Sequence, residues 1–370
     1  MKTTRVVLAG FYPPPFAGEP VHVMQLARLL REHGLTVRIL NINRHATSGQ
    51  EYESSGSRLG LLWKLVTLAD RGSILHLHTN GHSRKSWLMI LMASLAGRIR
   101  GVTAVLTLHS GVLPGYVAGF GTGRRRLARW VLRPFTRVIC VNPEICGSVQ
   151  RLGIAGSQTA VIPAFLGVPD TPERSTADRA LVREFRPLLV AVAGGEEDPE
   201  RGLSVVLRAV QQLVPLYPGL GAILMGWQVG PKTRPLIAEL GLAGRAVCLG
   251  EVSHDRCLAL LRASDVAVRS TFVDGDAITV REALAFGVPV VASDTGYRPE
   301  GVTLFRRGDV SDLTAKVRQV LARPTVGKSR ARPGDERAAR AIWQLYTELM
   351  GPEDATTGLV QPPPRPEASS

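Results

Sequence analysis

Short apolar runs of strand length alternate with segments of helical periodicity along most of the chain, and this alternation restricts the fold more than any other feature. In the first half, both kinds of segment recur as far as residue 162. The apolar runs fall at residues 5–9, 36–40, 74–78, 104–109, 138–141 and 159–162, and the helical patterns at residues 21–33, 60–70, 86–96, 124–132 and 143–151. Such a rhythm predicts a parallel sheet with helices on both faces.

The same rhythm restarts after residue 187. Residues 167–187 are polar and contain three prolines, which is typical of a linker between domains. The second half has apolar runs at 188–193, 221–225, 246–249, 266–269 and 288–292, and helical patterns at 202–214, 231–240 and 255–263 and from about Ile278. The sequence therefore predicts an α/β fold of two doubly wound domains, over residues 1–166 and 188–333, with ligands at the carboxyl ends of the strands.

The composition is that of a globular protein, since hydrophobic residues make up 45% of the 370 residues. The first apolar run, at 5–9, is too short for a signal peptide, and the run at 86–96 is too short to span a bilayer. The four cysteines show no C-x-x-C spacing, which indicates thiols in a reducing compartment. We therefore expect a cytoplasmic protein. Residues 351–370 include Q-P-P-P-R-P-E-A-S-S and are expected to be disordered.

The net charge of +14 favours an anionic partner, which is nucleic acid, anionic lipid or an anionic substrate. Nucleic acid is not expected, because aromatic residues are only 5% and no zinc-finger, RRM or helix-turn-helix pattern is recognisable. Residues 124–137 are rich in arginine and also carry Leu127, Trp130 and Phe135. On a helix this gives a basic face and an apolar face. The segment then either lies on an anionic membrane or is a solvated basic helix packed on the N-terminal domain.

Two acids, Asp274 and Glu282, lie eight positions apart around a predicted loop and helix start. Gly275 favours a turn, and the helix that begins near Ile278 carries Glu282 about one turn inside. Phosphates bind at helix N-termini, and carboxylates accept hydrogen bonds from sugar hydroxyls. The arrangement suits a nucleotide sugar. The alternative is an ordinary helix start in an α/β domain with solvated acids.

The segment from Asp274 to Glu282 resembles the Glu-x7-Glu motif of retaining GT-B glycosyltransferases, in particular glycosyltransferase family 4. Asp274 stands where the family has its first Glu, and Glu282 matches the second. The resemblance covers roughly residues 5–350. It implies the GT-B architecture, in which two Rossmann-like doubly wound domains face a central cleft. It also implies that the amphipathic segment 334–350 returns to the N-terminal, acceptor-side domain.

Other segments extend the resemblance. Residues 12–20 resemble the family's Y-P-P-x-x-G-G-x-E loop, of which Gly18 is retained. His78 falls in the family's V-H-x-H pattern, and His109 matches its strand-end histidine near the transferred sugar. The resemblance implies His109 and Asp274 as catalytic residues, and His78 and His82 as acceptor contacts or scaffold. For the donor it implies Gly18, Arg201, Gly275, Asp276, Ala277, Ile278, Thr279 and Glu282, and we add Arg269 from its position at the end of a strand.

The segment expected to clamp the donor diphosphate departs from the family. Residues 194–202 resemble its G-R-x-x-x-x-K-G pattern, but Glu196 stands at the Arg position and Arg201 at the Lys position. Arg269 ends a strand next to the acid-pair loop. It either takes over the phosphate or forms an ion pair with Asp274 or Asp276. A metal site built on the histidines is the remaining alternative, but the family is metal-independent, so no metal is predicted.

The sequence thus predicts a retaining, metal-independent glycosyltransferase that moves a sugar from an NDP-sugar to a glycan or lipid-linked acceptor. Such an enzyme would act in cell-surface polysaccharide or glycoconjugate biosynthesis, and it would be peripheral on the inner face of the membrane. One alternative is a non-catalytic protein that binds a sugar nucleotide or a membrane. Another is a GT-B sugar-nucleotide epimerase, which acts without an acceptor.

Overall fold

The computed structural model describes residues 5–43, 46, 49, 51–168, 175–193, 199–226, 229–230, 233–322 and 336–350. The predicted α/β fold with two parallel sheets is confirmed. Glu196 and the tail at 351–370 lie outside the described residues, and so does the side chain of Arg201.

The N-terminal sheet has seven parallel strands in the order β3-β2-β1-β4-β5-β6-β7. They are β1 (Arg5–Gly10), β2 (Thr36–Asn41), β3 (Glu53–Ser54), β4 (Ile74–Thr79), β5 (Thr103–Leu108), β6 (Arg137–Cys140) and β7 (Thr159–Val161). Alternate residues of β1 enter two cores, since Val6 and Leu8 pack on one face and Val7 and Ala9 on the other. Both faces are covered, as burial of a parallel sheet requires.

Six helices cover this sheet: α1 (Gly18–Glu32), α2 (Arg58–Leu68), α3 (Arg84–Arg100), α4 (Leu113–Ala118), α5 (Thr122–Leu132) and α6 (Pro143–Arg151). A short 3-10 helix, Gly156–Gln158, precedes β7. Helices α2 to α6 contribute to one core, and α1 packs on the opposite face. The sheet therefore lies between two helical layers.

The C-terminal sheet has six parallel strands in the order β10-β9-β8-β11-β12-β13. They are β8 (Leu188–Val192), β9 (Gly221–Met225), β10 (Ala246–Gly250), β11 (Val266–Arg269), β12 (Val290–Ser293) and β13 (Thr303–Phe305). The helices are α7 (Thr176–Glu184), α8 (Pro199–Leu213), α9 (Thr233–Glu239), α10 (His254–Ala263), α11 (Ile278–Ala285) and α12 (Val310–Leu321). In both sheets the strand order reverses once, between β1 and β4 and between β8 and β11. Ligands of doubly wound sheets bind at such points.

The last described helix, α13 (Glu336–Met350), packs on the N-terminal unit. Ile342 and Tyr346 are buried against Val6 and Leu8 of β1. The hydroxyl of Tyr346 lies 2.7 Å from Nδ1 of His76 on β4, so the end of the described chain completes the core in which it begins.

Three parts of the sequence prediction need correction. The proposed linker, 167–187, contains α7, whose Val182 and the following Phe185 are buried in the C-terminal core. Its prolines and charges obscured this apolar spacing. Helix α4 falls in a stretch without a predicted element, and β13 and α12 follow the last predicted strand. Strand β3 has two residues, which is too short for a periodicity to register.

Candidate functional site

The acid-pair helix lies where the two units meet. Helix α11 begins at Ile278, and Ile278 and Ala285 are buried in the core of the N-terminal unit. The N-cap residue is Ala277, which has no side chain to accept a hydrogen bond from the first turn. The first backbone N–H groups of a helix also lack intrahelical partners. This helix start is therefore suited to an anion.

The backbones of the two units contact each other at two glycines. A Cβ atom added to Gly275 would collide with the carbonyl oxygen of His109, and one added to Gly111 would collide with the backbone of Asp274. The side-chain amide of Asn142 donates to the carbonyl oxygen of Gly275 at 2.6 Å. The structure thus brings His109 and Asp274, which the sequence proposed as catalytic residues, to adjoining loops of the two units.

Asp274 lies at the centre of a buried ion cluster. Nε and Nη2 of Arg269 donate to its two oxygens at 2.9 and 3.1 Å, and Nη1 of Arg298 donates at 2.8 Å. The hydroxyl of Thr271 donates at 2.8 Å. Burial alone would raise the pKa of Asp274, but the two guanidinium groups hold it well below its usual range. Of the two roles that the sequence left open for Arg269, the structure therefore shows the ion pair with Asp274.

Asp276 forms a second ion pair and joins the units. Its Oδ1 accepts from Nε of Arg281 at 2.6 Å, and its Oδ2 accepts from the backbone N–H of Ala164 at 2.9 Å. Arg281 also donates to the hydroxyl of Tyr297 at 3.1 Å. Although burial would lower the pKa of Arg281, the carboxylate of Asp276 raises it, so the guanidinium stays charged. Asp276 is therefore a carboxylate that links the acid-pair loop to the N-terminal unit.

Glu282 is fully buried, and its two oxygens differ. Oε1 lies 2.6 Å from Nε2 of His254, the first residue of α10. Oε2 has no hydrogen-bond partner among the described residues. Burial would lower the pKa of His254, but the hydrogen bond and charge of Glu282 raise it. A buried carboxylate oxygen without a partner is unfavourable, so Oε2 is a candidate acceptor for a ligand hydroxyl.

A cluster of histidines lies at the ends of β4 and β5. Nδ1 of His78 lies 3.2 Å from Nε2 of His109, and the rings of His22 and His109 are 5.2 Å apart. Burial and the neighbouring imidazoles lower the pKa of His78 and His109 well below the usual range. Burial lowers the pKa of His22 to about 4. These imidazoles are neutral at pH 7.

Ala164 connects the histidine cluster to the acid-pair loop. Its carbonyl oxygen accepts from Nδ1 of His22 at 2.5 Å, while its N–H donates to Asp276. The ligand nitrogens of His22, His78 and His109 lie within 4.8 Å of one another, which is also a geometry that could hold a metal ion. His22 and His254 were missed from the sequence. Both lie near the start of a helix that follows a strand, at the edge where ligands bind.

The remaining predicted residues follow strands of the two sheets. Gly18 opens α1, and a Cβ atom there would meet no atom within 4 Å. His82 follows β4 in the loop before α3. The backbone of α8 reaches the site, because the hydroxyl of Ser270 donates to the carbonyl oxygen of Gly202 at 2.8 Å. This contact places the start of α8, and with it the backbone of Arg201, beside the end of β11.

Both halves of the chain match family models. Residues 17–166 match the model described as Glycosyltransferase Family 4, and residues 186–323 match the one described as Glycosyl transferases group 1. The MMP alpha-(1->4)-mannosyltransferase of Mycolicibacterium hassiacum is 32% identical over 168 residues, 42% of this chain and 40% of the relative. The phosphatidyl-myo-inositol mannosyltransferase of Mycolicibacterium smegmatis is 25% identical over 297 residues, 75% of this chain and 72% of the relative. The chain thus spans less than half of the first relative's length.

Solved structures match almost the whole chain. Sucrose-phosphate synthase from Thermosynechococcus elongatus has a TM-score of 0.71 at 19% identity and covers 94% of this chain and 99% of its own. Anabaena Alr3699/HepE, in complex with UDP and glucose, has a TM-score of 0.69 at 16% identity and covers 93% and 98%. At these identities the likeness concerns the fold. Within the described residues, no helix is long and apolar enough to cross a bilayer.

Proposed function

We propose that this chain, whose two halves match glycosyltransferase family models and whose fold is GT-B, transfers a hexosyl group from an NDP-sugar with retention of configuration. The acceptor is a glycan or a lipid-linked sugar of a cell-surface polysaccharide or glycoconjugate. The observation that carries the donor proposal is Glu282, a fully buried carboxylate with one oxygen held by His254 and the other without a protein partner among the described residues.

Glu282 recognises the ribose of the donor in this proposal. A ribose hydroxyl donates to Oε2, and the fixed His254 keeps the carboxylate from rotating. The relatives support a hexose donor, because they include mannosyltransferases, and one structural neighbour holds UDP and glucose. Which base and which hexose this chain binds is decided by a binding screen.

The diphosphate lies against the start of α11 and the adjoining cations. The backbone of residues 276–279 supplies N–H donors, and Arg201 lies on the helix whose start contacts Ser270. Asp274 with Arg269 and Arg298 carries one net positive charge, because two guanidinium groups surround one carboxylate. Arg269 therefore acts on the phosphates through this cluster. Fixed cations and helix dipoles stabilise the charge that develops on the leaving diphosphate.

Cleavage of the anomeric C–O bond gives the sugar oxocarbenium character, and the site must hold it in place. His109 contributes from the N-terminal unit, where its carbonyl contacts Gly275 and its ring contacts His78. Its neutral imidazole can accept or donate a hydrogen bond to the sugar. Asp274 fixes the loop that faces it. No step of this proposal uses a metal ion.

The test is a screen of NDP-hexoses by thermal shift, followed by turnover measurements on the best donor. A bound ligand stabilises by mass action, so the best donor gives the largest shift. We expect release of NDP to need an acceptor, and the anomeric configuration of the product, read by NMR, to match that of the donor. Epimerisation without an acceptor would support an epimerase. Binding without turnover on any acceptor would support a non-catalytic binder.

A further inference from the structure

The positive charge of the chain is concentrated in one segment of the N-terminal unit. Residues 58–137 contain thirteen Lys and Arg residues and a single acid, Asp70. This segment therefore has a net charge of +12, against +14 for the whole chain. If the excess of basic residues were a general property of the amino-acid composition, it would be spread over both units. The asymmetry gives one side of the molecule a strong positive potential.

Most of these basic residues lie on three neighbouring helices. Helices α2, α3 and α5 bury their inner faces in one core, with Leu65 on α2, Ile90 on α3 and Leu132 on α5. Helix α3 packs against both α2 and α5, so the outward faces of the three helices form one continuous surface. We call this surface the α2–α3–α5 face. The three helices contain no Asp or Glu.

Large apolar side chains stand out from the same face. Leu59 and Trp63 on α2 are 82% and 64% exposed, and Ile99 on α3 is 69% exposed. On α5, Leu127 is 59% and Trp130 is 51% exposed. They are five of the eight strongly exposed large apolar residues in the described part of the chain. Exposed apolar groups gathered on one surface mark an interaction site.

The arginines of α5 lie beside these apolar groups. Within the ranges that the structure describes, none of Arg124, Arg126 and Arg129 is in ion-pair distance of a carboxylate. Lys64 pairs with Glu53, and Arg100 with Asp70. Cationic side chains interleaved with Trp, Leu and Ile are typical of a surface that meets lipid headgroups with its charges and acyl chains with its apolar groups.

We propose that the α2–α3–α5 face docks on a bilayer that contains anionic phospholipids. The charge of the face complements such a surface, and Trp63 and Trp130 reach the headgroup level with rings that prefer the interface. A nucleic acid would use the charge but leave Leu59, Leu127 and Ile99 exposed. The two tryptophans therefore distinguish a bilayer from a soluble polyanion.

The purpose of this docking rests on the proposed function, in which the acceptor is lipid-linked. Strand β4 ends at Thr79, which pairs with the last residue of β5, and α3 begins five residues later at Arg84, with His82 between them. The docking face thus adjoins the loop that the sequence assigned to the acceptor. A lipid-linked acceptor held at the membrane would then enter the cleft along the start of α3.

The experiment measures partition of the full chain onto sedimented vesicles of phosphatidylcholine, with and without phosphatidylglycerol. One variant combines Trp63→Ser and Trp130→Ser, and another combines Arg124→Gln, Arg125→Gln and Arg126→Gln. The matched controls are Leu216→Ser, which is 53% exposed on the other unit, and the triple change Arg179→Gln, Arg183→Gln and Arg208→Gln at exposed arginines of that unit. Thermal shift with the best NDP-hexose is measured in parallel on each protein.

We expect binding only to the anionic vesicles, reduced at least about tenfold by each variant of the face and unchanged in the controls. Donor shifts should be equal in all proteins. Equal binding to both vesicle types, or retention in the face variants, overturns the proposal. If heparin competes equally well for proteins with and without the tryptophan changes, the face binds a soluble polyanion. If the protein does not bind vesicles but forms a dimer that the tryptophan changes abolish, the face binds a second copy of the chain. Vesicle binding without any donor shift leaves the docking intact and overturns the proposed function.

Discussion

Nε2 of His254 lies 2.6 Å from Oε1 of Glu282, and this hydrogen bond joins the first residue of α10 to the middle of α11. Because Glu282 has no exposed surface, its orientation is set by His254 rather than by water. The pair therefore presents the second oxygen, Oε2, in one direction. Positioning of this kind reduces the ordering that ligand binding would otherwise require.

Replacing Glu282 by alanine should lower affinity for the NDP-hexose by about 1–3 kcal/mol, the range for loss of a charged hydrogen-bonding partner. The physical reason is that the ribose hydroxyl loses its acceptor in a buried site. Calorimetric titration of the folded variant measures the effect, with Glu300→Ala, an exposed acid of the same unit, as control. Unchanged donor affinity in Glu282→Ala would remove the ribose assignment.

Asp274→Asn should destabilise the protein even without a donor, by about 3–5 kcal/mol, because it removes the carboxylate from two buried arginines. Arg269 and Arg298 would then repel each other across the same loop. Urea unfolding measures the change in free energy. Glu32→Gln is the control, since the exposed Arg28–Glu32 pair contributes at most about 1 kcal/mol. A loss equal to the control would mean that Asp274 is not the centre of the cluster.

Gly275→Ala should reduce activity and separate the two units, because a Cβ atom at this position collides with the carbonyl oxygen of His109. Small-angle scattering should show a larger radius of gyration, and turnover should fall with it. Gly115→Ala is the matched control, because a Cβ atom there meets nothing within 4 Å. If Gly275→Ala kept both the wild-type dimensions and turnover, the backbone contact would not be part of the working enzyme.

The buried histidines should make the protein acid-labile. The pKa of His22 is lowered to about 4 by burial, so the unfolded chain binds its proton first as the pH falls below about 6.5. The free energy of unfolding is therefore unaffected by this group above pH 6.5, and protonation of His22 in the unfolded chain lowers it toward pH 4 by about 1.4 kcal/mol per pH unit. Urea midpoints across this range should fall less steeply in His22→Gln. Parallel curves for the variant and the wild type would contradict the burial of a neutral His22.

Turnover should survive EDTA, because the donor proposal relies on helix dipoles and arginines to hold the diphosphate. The test compares rates before and after chelation, with magnesium and zinc added back. Loss of turnover that a divalent ion restores would reject the metal-free proposal. It would then point to His22, His78 and His109, whose ligand nitrogens already lie within 4.8 Å of one another.

Most regular elements were readable from the sequence, although α7 and α12 were not, and neither were the partners of the site residues. The helix from Ile278 and the strands around it follow from apolar periodicity, which is a local property of the chain. His254 and Arg298 became visible only after folding, because they lie 28 and 24 residues from the acids that they contact. The sequence did not decide whether Arg269 binds the donor phosphate or a neighbouring carboxylate, since an arginine at the end of a strand suits both.

The return of α13 to the N-terminal unit has a consequence for dissecting the protein. Tyr346 contacts His76 and is fully buried beside β1, so the first unit is not encoded by one continuous stretch of sequence. A fragment ending at residue 168 would expose Val6, Leu8 and Ile39 where α13 belongs. A synthetic peptide with the sequence of residues 336–350 should complement such a fragment in trans, which makes this helix a natural site for splitting the protein into two reassociating pieces.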